Sequence, residues 1–492
     1  MGFSQKLFSR RRFGKTVGAV AAAPVAANQL LTPLASGAAP SAKPNYYAFP
    51  NNFVWASATA SYQIEGAAAE DGRKPSVWDT YSHTSGKVAN NDTGDVANDD
   101  YHLYKEDIQL MKSLGVKAYR FSVAWPRVFP DGTGQPNEKG IAFYERVVDE
   151  LRANGIEPYA TLFHWDLPQV LEDKQGGWQS RDTSKAFADY AGFVAKRLSD
   201  RVHNFFTINE FSCFIDEGYG SGTKAPGKRV GQPKLNETRH NALMAHGMAV
   251  QAIRAAAKPK TKVGIAENPS LCVPVVETRP NIEATQKAMR ELNAHFLTAV
   301  LEGKYTDNYL SSQGANAPKY KAEEMKIISS PLDFVGLNIY APTHISADNS
   351  RQGFAVVPHP SSYPHMASPW LFMGPEIAYW APRHLREIWK VENVYITENG
   401  CSSDDRVAAD GHVYDTDRVM YVRAHLVQAH RAISEGWPLR GYFLWSLMDN
   451  FEWNDGYGKR FGLYYVDFKT QKRIPKLSAS FYREVIARNG VA

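Results

Sequence analysis

Val394-Tyr395-Ile396-Thr397-Glu398-Asn399-Gly400 sets the pattern for the whole chain. Three β-favouring residues run into a threonine, an acid and a turn-forming Asn-Gly pair, so the segment reads as a buried strand that stops at a carboxylate. A charge at the mouth of an apolar strand must be paired, hydrogen-bonded or put to chemical use. Alone, the segment fits an acid capping a turn at least as well as a reactive one. A second stretch repeats the design: Asn204-Phe205-Phe206-Thr207-Ile208-Asn209-Glu210 is again an apolar strand closed by a polar residue and a glutamate. Two carboxylates at the ends of separate strands are what hydrolysis of a glycosidic bond requires. One protonates the leaving oxygen and the other acts on the opposite face of the sugar.

Outward from these two, short apolar runs alternate with longer amphipathic ones. Strands are predicted over 53–60, 116–123, 157–163, 204–208, 262–266, 333–338, 393–397 and 439–445. Helix-spaced apolar positions lie between them, for example over 101–114, 141–153, 183–197 and 418–435. Eight strands separated by helices give a single α/β domain, a (β/α)8 TIM barrel over 41–492 with long βα-loop insertions. Two doubly wound domains would show a composition break or a Gly-rich phosphate loop, and the sequence has neither.

The strand ends share a character. In order they run into Gln63 and Glu65, Arg120, His164 and Asp166, Asn209 and Glu210, Glu267 and Asn268, Asn338 and Tyr340, Glu398 and Asn399, and Trp445 followed by Glu452 and Trp453. In a barrel these ends converge on one face, where the chemistry of such folds is built. A sugar offers hydroxyls at its edge and C–H faces above and below, so its pocket wants polar side chains on the rim and an aromatic floor. Gln63, His164, Asn209 and Glu452 suit the first, Trp445 and Trp453 the second. Each also has a structural reading, as a turn cap, a satisfied core histidine or packing at the barrel mouth. Arg120 and Tyr340, with Asn338 two residues before the tyrosine, suit support of an ionised nucleophile. Two carboxyls a few ångströms apart resist simultaneous ionisation, so one is expected to hold a proton while the other is charged.

Composition narrows the classes. The 492 residues are 43% hydrophobic, as in a globular protein, and no apolar run is long enough to span a membrane. Residues 1–40 carry a basic run, Arg10-Arg11-Arg12, then a mild apolar stretch and small residues, the order of a twin-arginine signal peptide and leader. That predicts a periplasmic or secreted mature protein. The leader takes five of the 56 basic residues and no acidic one, leaving 51 against 51, so charge makes no case for nucleic acid or an anionic membrane as partner. Cys213, Cys272 and Cys401 form neither a disulfide framework nor a metal-ligand spacing, and each reads as a small buried residue. No metal or organic cofactor is expected, and the sequence sets no oligomeric state.

On these motifs the chain resembles glycoside hydrolase family 1, the β-glucosidase family, from residue 53 to about residue 482. The matching segments are Phe53-Val54-Trp55-Ala56 through Tyr62-Gln63-Ile64-Glu65-Gly66, Phe163-His164-Trp165-Asp166-Leu167-Pro168, Thr207-Ile208-Asn209-Glu210, Asn338-Ile339-Tyr340, Ile396-Thr397-Glu398-Asn399-Gly400, 445–453 and Arg460-Phe461-Gly462-Leu463. The resemblance implies a retaining β-glycosidase acting on a β-linked oligosaccharide or an aryl or alkyl β-glycoside. Glu398 would be its nucleophile and Glu210 its acid/base, with carboxyls about 5 to 5.5 Å apart. Gln63, His164, Asn209, Glu452 and Trp453 would bind the non-reducing sugar, and Trp445 would lie beneath its ring. The family usually has proline after the Asn-Glu pair, where this chain has Phe211, which frees a backbone angle and restores an N–H. A phospho-β-glycosidase is an alternative, although its phosphate-binding serine, lysine and tyrosine are here Glu452, Lys459 and Phe461. A non-catalytic sugar-binding protein on the same scaffold is another. For the aglycone side, the loop 346–381 offers Trp370 and Trp380 either as platforms or as packing.

Overall fold

The structure, a computed structural model, describes residues 47–492, and the predicted leader lies outside the described residues. Eight strands form the centre: β1 Val54–Ala58, β2 Ala118–Ser122, β3 Glu157–Thr161, β4 Asn204–Asn209, β5 Lys262–Glu267, β6 Phe334–Asn338, β7 Val394–Asn399 and β8 Leu439–Trp445. Each pairs in parallel with the next, and β8 pairs with β1, so the sheet closes into the expected (β/α)8 barrel. The predicted helices are present as Asp100–Leu114, Glu138–Ala153, Arg181–Leu198 and Thr416–Ser434. Each starts one to three residues earlier than its apolar periodicity does. Acids in the first turns, Asp100, Glu138, Asp182 and Asp417, suit the positive end of the helix dipole but carry no apolar signal.

The barrel interior is closed by a ring of aromatics from five strands. Tyr159 packs on Phe206 and Phe443, Phe206 on Phe334, Phe334 on Tyr395, and Tyr395 on Phe443, with centroids 5.0 to 6.2 Å apart. Gly264 makes room for this layer: a Cβ there would stand 2.2 Å from the Phe334 ring. The plug is aromatic, and the Arg120 guanidinium at the C-terminal end of its strand rests directly on it.

The strand ends differ from the expected ones in a way that matters. Strand β7 runs two residues past the predicted end, through Glu398 and Asn399, and its register against β6 shifts between Ile396 and Glu398. Strand β4 likewise extends through Asn209, with a shift against β5 after Phe206. Such irregularities re-aim side chains at the rim of a barrel. Nor is Asn399-Gly400 an exposed turn. Asn399 is buried, donating to Ile339 O at 2.7 Å and accepting from the Tyr442 hydroxyl at 2.6 Å. Gly400 is required by close approach, because a Cβ would lie 1.7 Å from the Trp445 carbonyl oxygen.

Insertions after the strands build the upper face. A small sheet of Cys272–Pro274, Thr343–Ala347 and Phe354–Val356 follows β5 and β6, and a hairpin of Tyr464–Asp467 and Lys472–Pro475 follows β8. Fully buried Asp449 ties the β8 loop down. It accepts from Lys476 Nζ at 2.5 Å, Arg460 Nη1 at 2.6 Å and Gly462 N at 3.0 Å. Losing one partner of such a buried ion pair strands the other charge, so the loop carrying Glu452 and Trp453 has little freedom.

Candidate active site

A cavity of about 750 Å³ opens at the C-terminal face of the barrel. His164, Glu210, Tyr340, Glu398, Trp445, Glu452 and Trp453 line it. Arg120, Asn209 and Asn338 stand behind these residues, all buried, and orient them, and Gln63, also buried, adjoins Glu452. The fold thus brings these eleven residues together from segments up to 390 positions apart in sequence, whereas of the other strand-end acids Glu65 pairs with Arg127 and Asp166 accepts from Ser61, away from the cavity lining.

Glu398, at the end of β7, is held from two sides. Arg120 Nη1 donates to Oε1 at 2.7 Å and the Tyr340 hydroxyl to Oε2 at 2.8 Å. Arg120 is itself fixed, donating from Nε to Thr161 Oγ1 at 3.0 Å and from Nη2 to Asn209 Oδ1, with its guanidinium 5.1 Å above the Phe206 ring of the plug. Burial pushes the Glu398 carboxyl up to about 7. The nearby Glu210 adds to that rise, while Arg120 and Tyr340 oppose it.

Glu210 follows β4 with φ 52° and ψ 85°, a left-handed conformation that costs a non-glycine residue about 1–3 kcal/mol. Its carboxyl receives neutral donors only: Asn338 Nδ2 to Oε1 at 2.6 Å and the Cys213 thiol to Oε2 at 3.1 Å. Asn338 is oriented in turn by Thr397, whose hydroxyl donates to Asn338 Oδ1 at 2.7 Å.

Hydrogen-bond partners fix the orientations of the polar groups at the other side of the site. Asn209 Oδ1 accepts from both Arg120 and Asn338, so its amide nitrogen must be the group 3.1 Å from His164 Nε2. His164 Nε2 is therefore an acceptor. Burial holds the ring well below its usual protonation range, so the neutral imidazole carries its one proton on Nδ1. That Nδ1 is buried and has no partner among the described residues. Gln63 is its counterpart. Its nitrogen donates to Asn450 Oδ1 at 3.0 Å and Phe451 O at 2.9 Å, leaving a buried, unpartnered Oε1. One free donor and one free acceptor suit a hydroxyl, which is both. Glu452, 3.4 Å from Gln63 Nε2, is pushed up to about 8 by burial first and Asp455 second. In its protonated form it adds a further donor. Trp445 stacks 5.9 Å from His164, and Trp453 packs 4.3 Å from Trp165 and 4.6 Å from Trp78.

On the outer side, half-exposed Trp370 lines the cavity, edge-on to Tyr340 at 5.8 Å. Trp380 does not: it is buried against His384 with Arg383 over its ring, so of the two loop tryptophans only Trp370 reaches the site. Sequence reading missed Cys213 and Thr397 as contacts of the site, and it gave Glu267 a strand-end place without a partner. No sequence signal pairs a cysteine with an acid three residues earlier until a helical turn, here Phe211–Ile215, folds it back. All three cysteines are free and buried. Among the described residues no group of three or more His, Cys, Asp or Glu side chains is placed to hold a metal, and no helix is long and apolar enough to cross a membrane.

Residues 45–491 match the glycosyl hydrolase family 1 model. "Beta-glucosidase A" of Thermotoga maritima is 43% identical over 453 residues, 91% of this chain and 99% of that protein. "Bifunctional beta-D-glucosidase/beta-D-fucosidase" of Bifidobacterium breve is 41% identical over 89% of this chain and 98% of its own length. The solved family 1 β-glucosidase of Thermotoga maritima superposes with a TM-score of 0.83 at 42% identity, covering 91% of this chain and all of that one, and has also been solved in complex with glucoimidazole.

Proposed function

Since this chain belongs to glycosyl hydrolase family 1, we propose that it is a retaining β-glucosidase. It releases terminal non-reducing β-D-glucosyl residues from β-linked oligosaccharides or aryl and alkyl β-glycosides in two displacements. The observation that carries this reading is the pair Glu210 and Glu398 in one cavity, beside a buried donor and a buried acceptor that have no partner.

Glu398 attacks the anomeric carbon while Glu210 passes its proton to the departing glycosidic oxygen, so the ester bond forms as the aglycone bond breaks. The division of labour follows the partners: Glu398 is held from two sides by a guanidinium and a phenol and attacks, while Glu210, which accepts from an amide and a thiol, delivers the proton. Esterification removes the charge on Glu398. Glu210, now ionised, takes a proton from water as the water oxygen attacks the same carbon, and the ester breaks to return Glu398 as carboxylate. Two inversions leave the sugar in its β form. A phosphorylated sugar is disfavoured, since Glu452 faces the cavity and Lys459 Nζ is spent on Ala367 O at 2.8 Å. Trp370 serves the aglycone.

The test is release of a chromogenic aryl β-glucoside by the purified protein, with the first-formed anomer read by NMR. Turnover with β product and its loss in Glu398→Gln and in Glu210→Gln, separately, is expected. Undiminished turnover in Glu398→Gln overturns the mechanism, and no turnover on any β-glycoside favours a non-catalytic sugar-binding protein. We also propose, from Arg10, Arg11 and Arg12 and the apolar stretch after them, that residues 1–40 direct twin-arginine export to the periplasm or beyond. Replacing the three arginines with lysine should retain the precursor in the cytoplasm; unchanged export refutes the assignment.

A further inference from the structure

The acid/base carboxyl stands on a backbone that needs holding. Glu210 is in the left-handed region, and both amides that frame it are gripped by consecutive residues at the end of β5. Glu210 N donates to Ala266 O at 2.9 Å, and Phe211 N donates to Glu267 Oε2 at 3.0 Å. The Phe211 ring is fully buried, stacked on Phe296 at 5.1 Å and set against Phe214 and His246. A proline at 211 would have no N–H, and the buried Glu267 carboxyl would then lose this donor. The phenylalanine and the glutamate are two halves of one device.

We infer that Glu267 is a positioning residue for the acid/base: by gripping the Phe211 N–H it fixes the angle at which Glu210 presents its proton to the leaving oxygen, without touching substrate itself. The inference rests on the glycosidase reading above. The acidic groups facing Glu267 are Glu210 and Asp216, and Asp216 is already compensated by Arg239 at 2.7 Å, with His295 Nε2 3.4 Å from its other oxygen. Burial pushes the Glu267 carboxyl up to about 8, so at neutral pH it is protonated and accepts the N–H without setting another negative charge beside Glu210. A glutamine reproduces that state; a leucine does not.

A protonated Glu210 is needed in proportion to how poor the leaving group is. The test therefore compares kcat/KM for 2,4-dinitrophenyl β-glucoside, whose leaving group departs unprotonated, with that for phenyl β-glucoside. Glu267→Leu and Phe211→Pro should lose about 10- to 100-fold on the phenyl substrate and stay within about threefold on the dinitrophenyl one, while Glu267→Gln holds both. Equal losses on the two substrates, an unaffected Glu267→Leu, or a Glu267→Gln that falls with the leucine variant would each overturn the inference. Should the leucine variant not fold, Glu267→Asp, which withdraws the acceptor by one methylene, asks the same question: a selective loss on the phenyl substrate supports the inference and parallel behaviour refutes it. A wild-type enzyme inert on both substrates would sink the glycosidase reading instead.

Discussion

Tyr340→Phe isolates one hydrogen bond of Glu398, the nucleophile proposed above. The ring stays in place, because its edge-on contacts with Trp370 at 5.8 Å and Phe461 at 6.4 Å do not involve the hydroxyl. What goes is a single donor 2.8 Å from Glu398 Oε2. A hydrogen bond to a charged group is worth about 1.5–3 kcal/mol, and each 1.36 kcal/mol of preference for the ionised form is about one pH unit. The donor favours the ionised carboxyl, so removing it moves Glu398 further up from its value of about 7. The acid limb of kcat/KM, where Glu398 takes up a proton, should rise by about one to two pH units. At pH 6 that leaves roughly a tenth or less of the wild-type kcat/KM, with a smaller deficit above the limb. The assay is the pH profile of aryl β-glucoside hydrolysis from pH 4.5 to 9. A limb that does not move, with kcat/KM within twofold of wild type throughout, would mean that Tyr340 does not hold the nucleophile.

Three other outcomes follow from the same geometry. Gln63→Ala and His164→Ala should each lower kcat/KM on glucosides by about 10- to 100-fold, and each penalty should shrink on one monodeoxy glucoside; a penalty constant across the deoxy series would deny direct hydroxyl contact. Gly400→Ala sets a methyl against the Trp445 carbonyl at 1.7 Å and should cost about 1–3 kcal/mol or more, so a melting temperature within about 1 °C of wild type would contradict the packing. Glu267 takes up protons more readily folded, at about 8, than unfolded, near 4.5. The native state therefore binds the extra proton between those values and loses stability as pH rises through them. Glu267→Gln should be more stable to unfolding than wild type at pH 8, by about a few kcal/mol at most, with the gain fading toward pH 4.5. A pH-independent gain would refute the linkage.

Much of the site was legible because its residues announce themselves locally. An apolar run that ends in Thr-Glu or Asn-Glu, repeated at strand ends, is a one-dimensional pattern, and barrel closure turns it into one face. What was illegible depends on how neighbouring strands meet. Asn399-Gly400 reads as a turn from residue types, yet Asn399 is a buried strand residue and Gly400 is small because another backbone passes over it. Trp370 and Trp380 were indistinguishable in one loop, and packing separates the exposed residue that lines the cavity from the one buried in the core.

The linear order of residues by itself determined the alternation of strand and helix, hence the barrel, and the chemical identity of two acids at strand ends. Those follow from periodicity and composition, which act over a few residues. Only the tertiary structure decided which oxygen of each acid is held and by what, that His164 and Gln63 keep one free atom apiece, and that Glu267 grips the amide beside Glu210. Each of these is a hydrogen bond between segments far apart in the chain, and such bonds exist only once the sheet has closed and excluded the water that would otherwise satisfy them.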